Sequence, residues 1–300
     1  MEKINILTLG GCAADDILRA NRNHTNLYNI DVWIGSISRQ YWEPGKVASR
    51  LKEDMSTILP RITDTKVKIP TTVQWLYTIK EYRTPQKLLE SLTPNSVVIV
   101  DPAYEIQNFY FDGNEIFDVH LMYDSTVRKH MPDWYNLAVN KYYTRYDNGI
   151  MELTMFQYHT SKAFMAALEK MKVPVIVIDN LYTNKIYDPI TNSVGSALPL
   201  YVSKMPFALK GTVLENHDYS TKLIEKFYEL YKRVVPSSFK IFSPDVKKIY
   251  ADPNHHQGYH PTHLHHTCRT VLNDELNALI VEAVADHKAK QPLILPNKTS

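Results

Sequence analysis

Glycine is scarce in this 300-residue chain, at nine residues, and cysteine is scarcer, at two. The first shortage leaves no Gly-rich loop of the kind that cradles nucleotide phosphates. The second, with Cys12 and Cys268 far apart in the chain, is incompatible with a disulfide framework and suits a reducing compartment. Long runs of one charge are missing too. Thirty-four basic against 32 acidic residues give a formal charge of +2, which argues against the basic field of a nucleic-acid binder. No stretch approaches the about 18 apolar residues of a membrane span. Ahead of Leu9-Gly10-Gly11-Cys12 stand one lysine and about six apolar residues, too few for a signal core of roughly 7–15. These absences predict a cytoplasmic protein whose partners are small molecules or carbohydrate, with no nucleic acid and no membrane span.

What the chain does have is apolar content, at 44%, and tyrosine, at 20 residues. The first can bury a sizeable core. The second suits sugar-stacking surfaces or plain amphipathic packing. Five short apolar runs read as buried strands: Ile4–Leu9, Val32–Ile37, Val97–Val100, Val175–Ile178 and Phe239–Phe242. Helical periodicity marks Val47–Leu59, Gln86–Leu92, Glu152–Met171, Thr221–Val234 and a last helix from about His263 to Ala285. Strands alternating with helices imply parallel pairing through crossovers. The expectation is an α/β fold, a three-layer α/β/α arrangement with a doubly wound, mostly parallel five-stranded sheet of flavodoxin-like order. One domain is expected over 1–290, with long loops at about 102–150 and 181–218 and a tail at 291–300.

In such sheets ligands sit beyond the carboxyl ends of the strands. That rule gathers Cys12, Gly35-Ser36, Asp101 and Asp179 along one rim. Gly10-Gly11 gives the backbone freedom for a sharp turn, after which Cys12 stands where a strand hands over to a helix bearing Asp15 and Asp16. A helix N-terminus lowers a thiol pKa and can hold an oxyanion. The same Gly-Gly-Cys also reads as a tight corner around a small buried residue.

Half of the twelve histidines fall in the stretch from Asp252 to His266, between the last strand and the last helix. A histidine there returns to the rim where the first strand ends, within reach of Cys12, as a nucleophile–base pair requires. The same cluster, with Asp252, can instead ligate Zn²⁺ and make a hydrolytic centre. His265, His266 and His256 read as solvated residues. Backbone at Gly35 or the Ser36 hydroxyl can complete an oxyanion hole, or can be a strand-end turn. Asp101, before Pro102 and four residues ahead of Glu105, can orient a histidine, bind a hydroxyl, or simply end its strand. Asp252 can hold an imidazole in its tautomer or form a turn before Pro253. Cys268 reads as core.

This ordered set of blocks resembles the SGNH/GDSL hydrolase superfamily, in which a nucleophile follows the first strand and Asp-x-x-His precedes the last helix. It is similar in particular to a bacterial branch with Gly-Ser-Cys in place of Gly-Asp-Ser, whose members often neighbour polysaccharide-biosynthesis or acyltransferase functions. Gly10-Gly11-Cys12 takes the place of the first block, with Asp15 where that branch carries a basic residue. The last block matches Asp252, His255, Gly258, Pro261 and His263, with Gln257 for a tryptophan and Thr262 for an aromatic residue. In the broader superfamily's register, His260-Pro261-Thr262 supplies the base and Gln257 replaces the Asp. Val32–Ser38 and Val98–Asp101 fit the second and third blocks.

The resemblance implies an acyl ester hydrolase or O-acyl(acetyl)transferase with Cys12 as nucleophile, His263 or His260 as base, and His255 and Asp252 as further site residues. Gly35 and Ser36 would serve the oxyanion, and Asp101 would line the site. No cofactor is required. A thioester donor such as acyl-CoA suits a cysteine nucleophile, although no phosphate loop supports CoA binding. The other readings are a metal-dependent hydrolase using the His-rich segment 252–266, and a non-catalytic carbohydrate-binding or assembly protein.

Overall fold

The chain places its β-branched residues in short runs, and their burial builds the sheet. The computed structural model describes residues 3–34, 89–103, 108–111, 115–118, 161–196, 225, 227–256 and 262–290. In chain order its elements begin with β1 (Ile4–Gly10), α1 (Ala13–Leu18), α2 (Arg22–Thr25), β2 (Tyr28–Ile34) and β3 (Ser96–Asp101). There follow β4 (Asn108–Phe111), β5 (Glu115–Asp118), β6 (Val175–Ile178), β7 (Lys185–Asp188), β8 (Ser193–Ser196), β9 (Lys240–Phe242) and α3 (His266–Lys290). Helical turns also cover 161–170 and 227–232.

Five strands make one parallel sheet in the order β2-β1-β3-β6-β9, so the chain belongs to the α/β class. Every residue of β3 and β6 is buried, as strands covered on both faces require. Side chains alternate between the two faces. Ile6, Val97, Ile99, Ile176 and Ile178 join Ile17 and Leu18 of α1 and Leu272, Leu276 and Ile280 of α3 in one apolar cluster. Leu7, Leu9, Val98, Val100, Val175 and Val177 join Phe164, Met165, Leu168 and Tyr231 in a second.

Three boundaries differ from the sequence expectation. β2 begins at Tyr28, not Val32, and pairs along its whole length with β1 from Ile4↔Tyr28. It lies at the sheet edge, and its first residues, Tyr28-Asn29-Ile30-Asp31, alternate apolar and polar instead of forming an apolar run. The last helix starts at His266, because residues 263–265 are held extended by the Ala251↔Leu264 bridge. It continues to Lys290. The segments expected as long loops each contain an antiparallel hairpin, β4–β5 and β7–β8. In the second, the Asp188 carboxylate accepts the Ile190 N–H at 2.9 Å, and Asn192 takes a left-handed φ of 51° that closes the turn. The expected helix Val47–Leu59 and the tail 291–300 lie outside the described residues.

α3 is clamped to the sheet and to α1. Lys240 of β9 reaches Glu282 at 2.9 Å and Asp286 at 2.8 Å. Asn273, fully buried, donates from Nδ2 to the carbonyls of Ile17 and Leu18 at 2.8 and 3.1 Å. Those carbonyls belong to the last turn of α1, where they also accept from the Ala20 N–H and the Thr25 hydroxyl, so Asn273 adds a second donor to each and ties α3 to the end of α1. Among the described residues no helix is long and apolar enough to cross a membrane.

Candidate functional site

The site is built where β1 ends. Gly10 takes a φ of 109°, a conformation that favours glycine, and turns the chain out of the strand. The next N–H, of Gly11, donates to the Asp101 carbonyl at 2.9 Å across the β1–β3 boundary. Cys12 is the N-cap of α1, yet its side chain makes no capping hydrogen bond. The cap comes from the neighbouring strand: Asp101 Oδ2 accepts the Ala14 N–H at 3.2 Å, and Oδ1 accepts the Ala103 N–H at 3.0 Å. With the cap supplied from elsewhere, the Cys12 thiol faces another partner. Its Sγ lies 3.7 Å from Nε2 of His263, 251 residues away in sequence.

His263 is held by a short clasp. The Asp252 N–H donates to the His263 carbonyl at 2.8 Å, and the His265 N–H donates to the Tyr250 carbonyl at 3.0 Å, flanking the Ala251↔Leu264 bridge. The clasp closes the loop that carries His255 and His256. The His255 ring stacks on His263 with centroids 4.2 Å apart and meets the His256 ring, tilted by 41°, at 4.3 Å. His255 Nε2 approaches Asp16 Oδ2 to 3.1 Å. Asp16 is four residues beyond Cys12, on the same side of α1.

The electrostatics run against the simple expectation for a thiol at a helix start. Burial, then the charges of Asp101 and Asp16, push the Cys12 thiol up to about 12. A helix of six residues offers too little positive potential to offset them. At neutral pH Cys12 is a thiol, not a thiolate. Burial raises Asp101 to about 6, with the N–H bonds from Ala103 and Ala14 pulling the other way. His255 is driven down to about 4 by burial first and then by His263, His256 and Arg269, so its imidazole is neutral at pH 7. Burial also raises Asp16, while Arg269 and the neighbouring histidines favour its carboxylate.

The structure thus brings together Cys12, His263, His255 and Asp101, and adds Asp16. Asp252 supports the site through its backbone, while its Oδ1 accepts the Asn254 N–H at 2.8 Å as a turn former. Asp179, at the end of β6, is engaged by Lys232 at 3.1 Å and by the Ser243 hydroxyl at 2.8 Å. Gly35, Ser36, Glu105, Gln257 and His260 lie outside the described residues. His256 and His266 are exposed, as expected, whereas His265 is buried against Tyr187 and Tyr250 instead of solvated. Cys268 is buried in the core, as expected.

Sequence reasoning did not single out Asp16, because spacing on a six-residue helix says little about what it meets. Among the described residues, Asp16, His255 and His256 form a group that could hold a metal ion, their ligand atoms lying within 4.8 Å of one another. Asp16 therefore takes the position in that set that the sequence had suggested for Asp252. Asp15, which stands where the resemblance wanted a basic residue, turns away to pair with Arg19 at 2.7 Å.

No protein-family model, curated protein or solved structure matches this chain.

Proposed function

We propose that the chain is an acyl ester hydrolase or O-acyltransferase that works through Cys12 and His263. The observation that carries this reading is the 3.7 Å approach of Cys12 Sγ to His263 Nε2, made at the carboxyl end of the first strand of a parallel sheet. His263 takes the thiol proton as Sγ attacks the acyl carbonyl, and the collapse of the tetrahedral adduct expels the alcohol or thiol of the donor, protonated by His263. The acyl group rests on Sγ as a thioester. Water or a sugar hydroxyl then attacks, His263 removing its proton and returning it to the departing Cys12 sulfur. Proton transfer accompanies attack here instead of preceding it, because the resting group is a thiol. A high-pKa thiol gives a more strongly nucleophilic sulfur once deprotonated.

The strand order, which reads 2-1-3-4-5 over the sheet's own strands, supports the flavodoxin-like, doubly wound three-layer reading. The two apolar clusters built from alternate residues of β1, β3 and β6 support it as well. The resemblance of the Gly10–Cys12 and Asp252–His263 blocks supports a carbohydrate-linked acyl group, with acyl-CoA as a fitting donor. Two free cysteines suit a reducing, cytoplasmic setting.

The test is acylation by an activated acyl ester such as p-nitrophenyl acetate, read by mass spectrometry of the intact protein and its peptides. One acyl group on Cys12, formed faster than on Cys268 and lost in Cys12→Ala and His263→Ala, is the expected result. Acylation of Cys12 no faster than of Cys268 overturns the reading. Acylation that survives His263→Ala but not His260→Ala moves the base to His260.

A further inference from the structure

The His-rich loop carries more imidazole than a Cys–His pair uses. Among the described residues His263 is the histidine that meets Cys12, while His255 and His256 turn toward Asp16 on α1. We propose that Asp16, His255 and His256 form a binding site for a divalent transition-metal ion of the zinc class, next to the Cys12–His263 pair and distinct from it. The proposal does not depend on Cys12 being a nucleophile.

The donor set selects the ion. Two imidazoles and one carboxylate match the borderline character of Zn²⁺, Co²⁺ and Ni²⁺, whereas Mg²⁺ and Ca²⁺ prefer shells of oxygen. The spacing fits as well. Ligands about 2.0–2.1 Å from a tetrahedral ion stand roughly 3.3 Å apart. Asp16 Oδ2 and His255 Nε2 are already 3.1 Å apart. All three ligand atoms lie within 4.8 Å, so closing the shell asks for a movement of roughly 1.5 Å at most. His256 is exposed and can supply that movement.

Two of the three ligands are firmly placed. Asp16 rides on α1, which α3 holds through Asn273. His255 is buried and stacked on His263 above the Tyr250–Asp252 and His263–His265 clasp. The exposed edge at His256 is the way in. Three protein ligands leave a fourth position for water or a ligand, the arrangement of open rather than closed zinc sites. Arg269, whose charge acts on both Asp16 and His255, opposes the cation.

The experiment is isothermal titration of the untagged, chelator-stripped full chain with Zn²⁺, repeated with Co²⁺ while recording the visible spectrum. One ion per chain is expected, with affinity reduced at least about tenfold by His256→Ala and by Asp16→Asn. Cys12→Ser should bind as the parent does, and the Co²⁺ spectrum should lack an intense thiolate-to-metal band. His256 is exposed, so His256→Ala carries the test even if Asp16→Asn does not fold. Absence of saturable binding, binding undiminished by His256→Ala, or binding lost in Cys12→Ser overturns the site. The acylation test above is read separately on metal-free protein, so failure of one proposal is distinguishable from failure of the other.

Discussion

A Cβ on Gly11 would lie 2.3 Å from Oδ2 of Asp101 and 2.5 Å from its Cγ, so the glycine and the carboxylate fit together only because Gly11 has no side chain. The carboxylate is buried and cannot swing aside without leaving the Ala14 and Ala103 N–H groups unbonded. Gly11→Ala should therefore cost about 1–3 kcal/mol in urea unfolding. Gly195→Ala is the control, since no atom lies within 4 Å of the added Cβ, and it should change stability by less than about 0.5 kcal/mol. Equal stability of the two variants would show that Asp101 is not held as described.

Asp101 and His255 make opposite demands on pH. A buried acid raised from 3.8 to about 6 contributes stability that is complete below pH 4 and is lost as pH rises through 6, of order 3 kcal/mol. An imidazole lowered from 6.5 to about 4 does the reverse, contributing stability above pH 6.5 that is lost as pH falls through 4. Between pH 4 and 6 each term amounts to about one proton, or 1.4 kcal/mol per pH unit, and the two slopes cancel. Relative to the parent, His255→Gln should make stability fall as pH rises across this window, and Asp101→Asn should make it climb. Chemical denaturation at half-unit pH steps measures both slopes, and parallel profiles in all three proteins would contradict the assignment.

The raised thiol of Cys12 should be visible in alkylation. At pH 8 a group titrating near 12 is thiolate in roughly one molecule in ten thousand. Iodoacetamide labelling of Cys12 in the free protein should thus climb about tenfold per pH unit through pH 10, with no plateau near neutrality. Asp16→Asn, which removes one of the charges holding the thiol protonated, should raise the rate at any pH below 10. A plateau near pH 7 would mean that Cys12 rests as a thiolate.

Asn273 ties the last helix to the element that carries Cys12 and Asp16. Its Nδ2 serves the Ile17 and Leu18 carbonyls, and its Oδ1 accepts from His24 Nδ1 at 2.7 Å. Asn273→Ala removes these bonds, while the Ile17 carbonyl keeps the Ala20 N–H and the Leu18 carbonyl keeps the Thr25 hydroxyl, and should cost about 1–2 kcal/mol. With α1 loosened, acylation of Cys12 should slow more than its alkylation at pH 10, because only acylation needs His263 in place. Equal slowing of both would trace the effect to general unfolding.

Much of the fold was legible because apolar burial leaves a local trace. Val97–Val100 and Val175–Ile178 are continuous apolar runs since both their faces are covered, and the runs mark the strands to within a residue. Tyr28–Asp31 left no such trace, because an edge strand alternates and reads like loop. The start of α3 was misplaced for a related reason. Residues 263–265 have helical companions in sequence, but a backbone bridge to Ala251 claims them first.

The site divides the same way. Composition and order along the chain were enough to set Cys12 after a first strand and the histidines before a last helix, since those are properties of the sequence alone. Which histidine meets the thiol, that Asp101 rather than Cys12 caps α1, and that Asp16 rather than Asp252 faces His255 were decided only by tertiary packing. The protonation of Cys12 was decided there as well. A thiol's pKa depends on the water it loses and the carboxylates brought beside it, and one of the two largest charges, Asp101, comes from a strand 89 positions away.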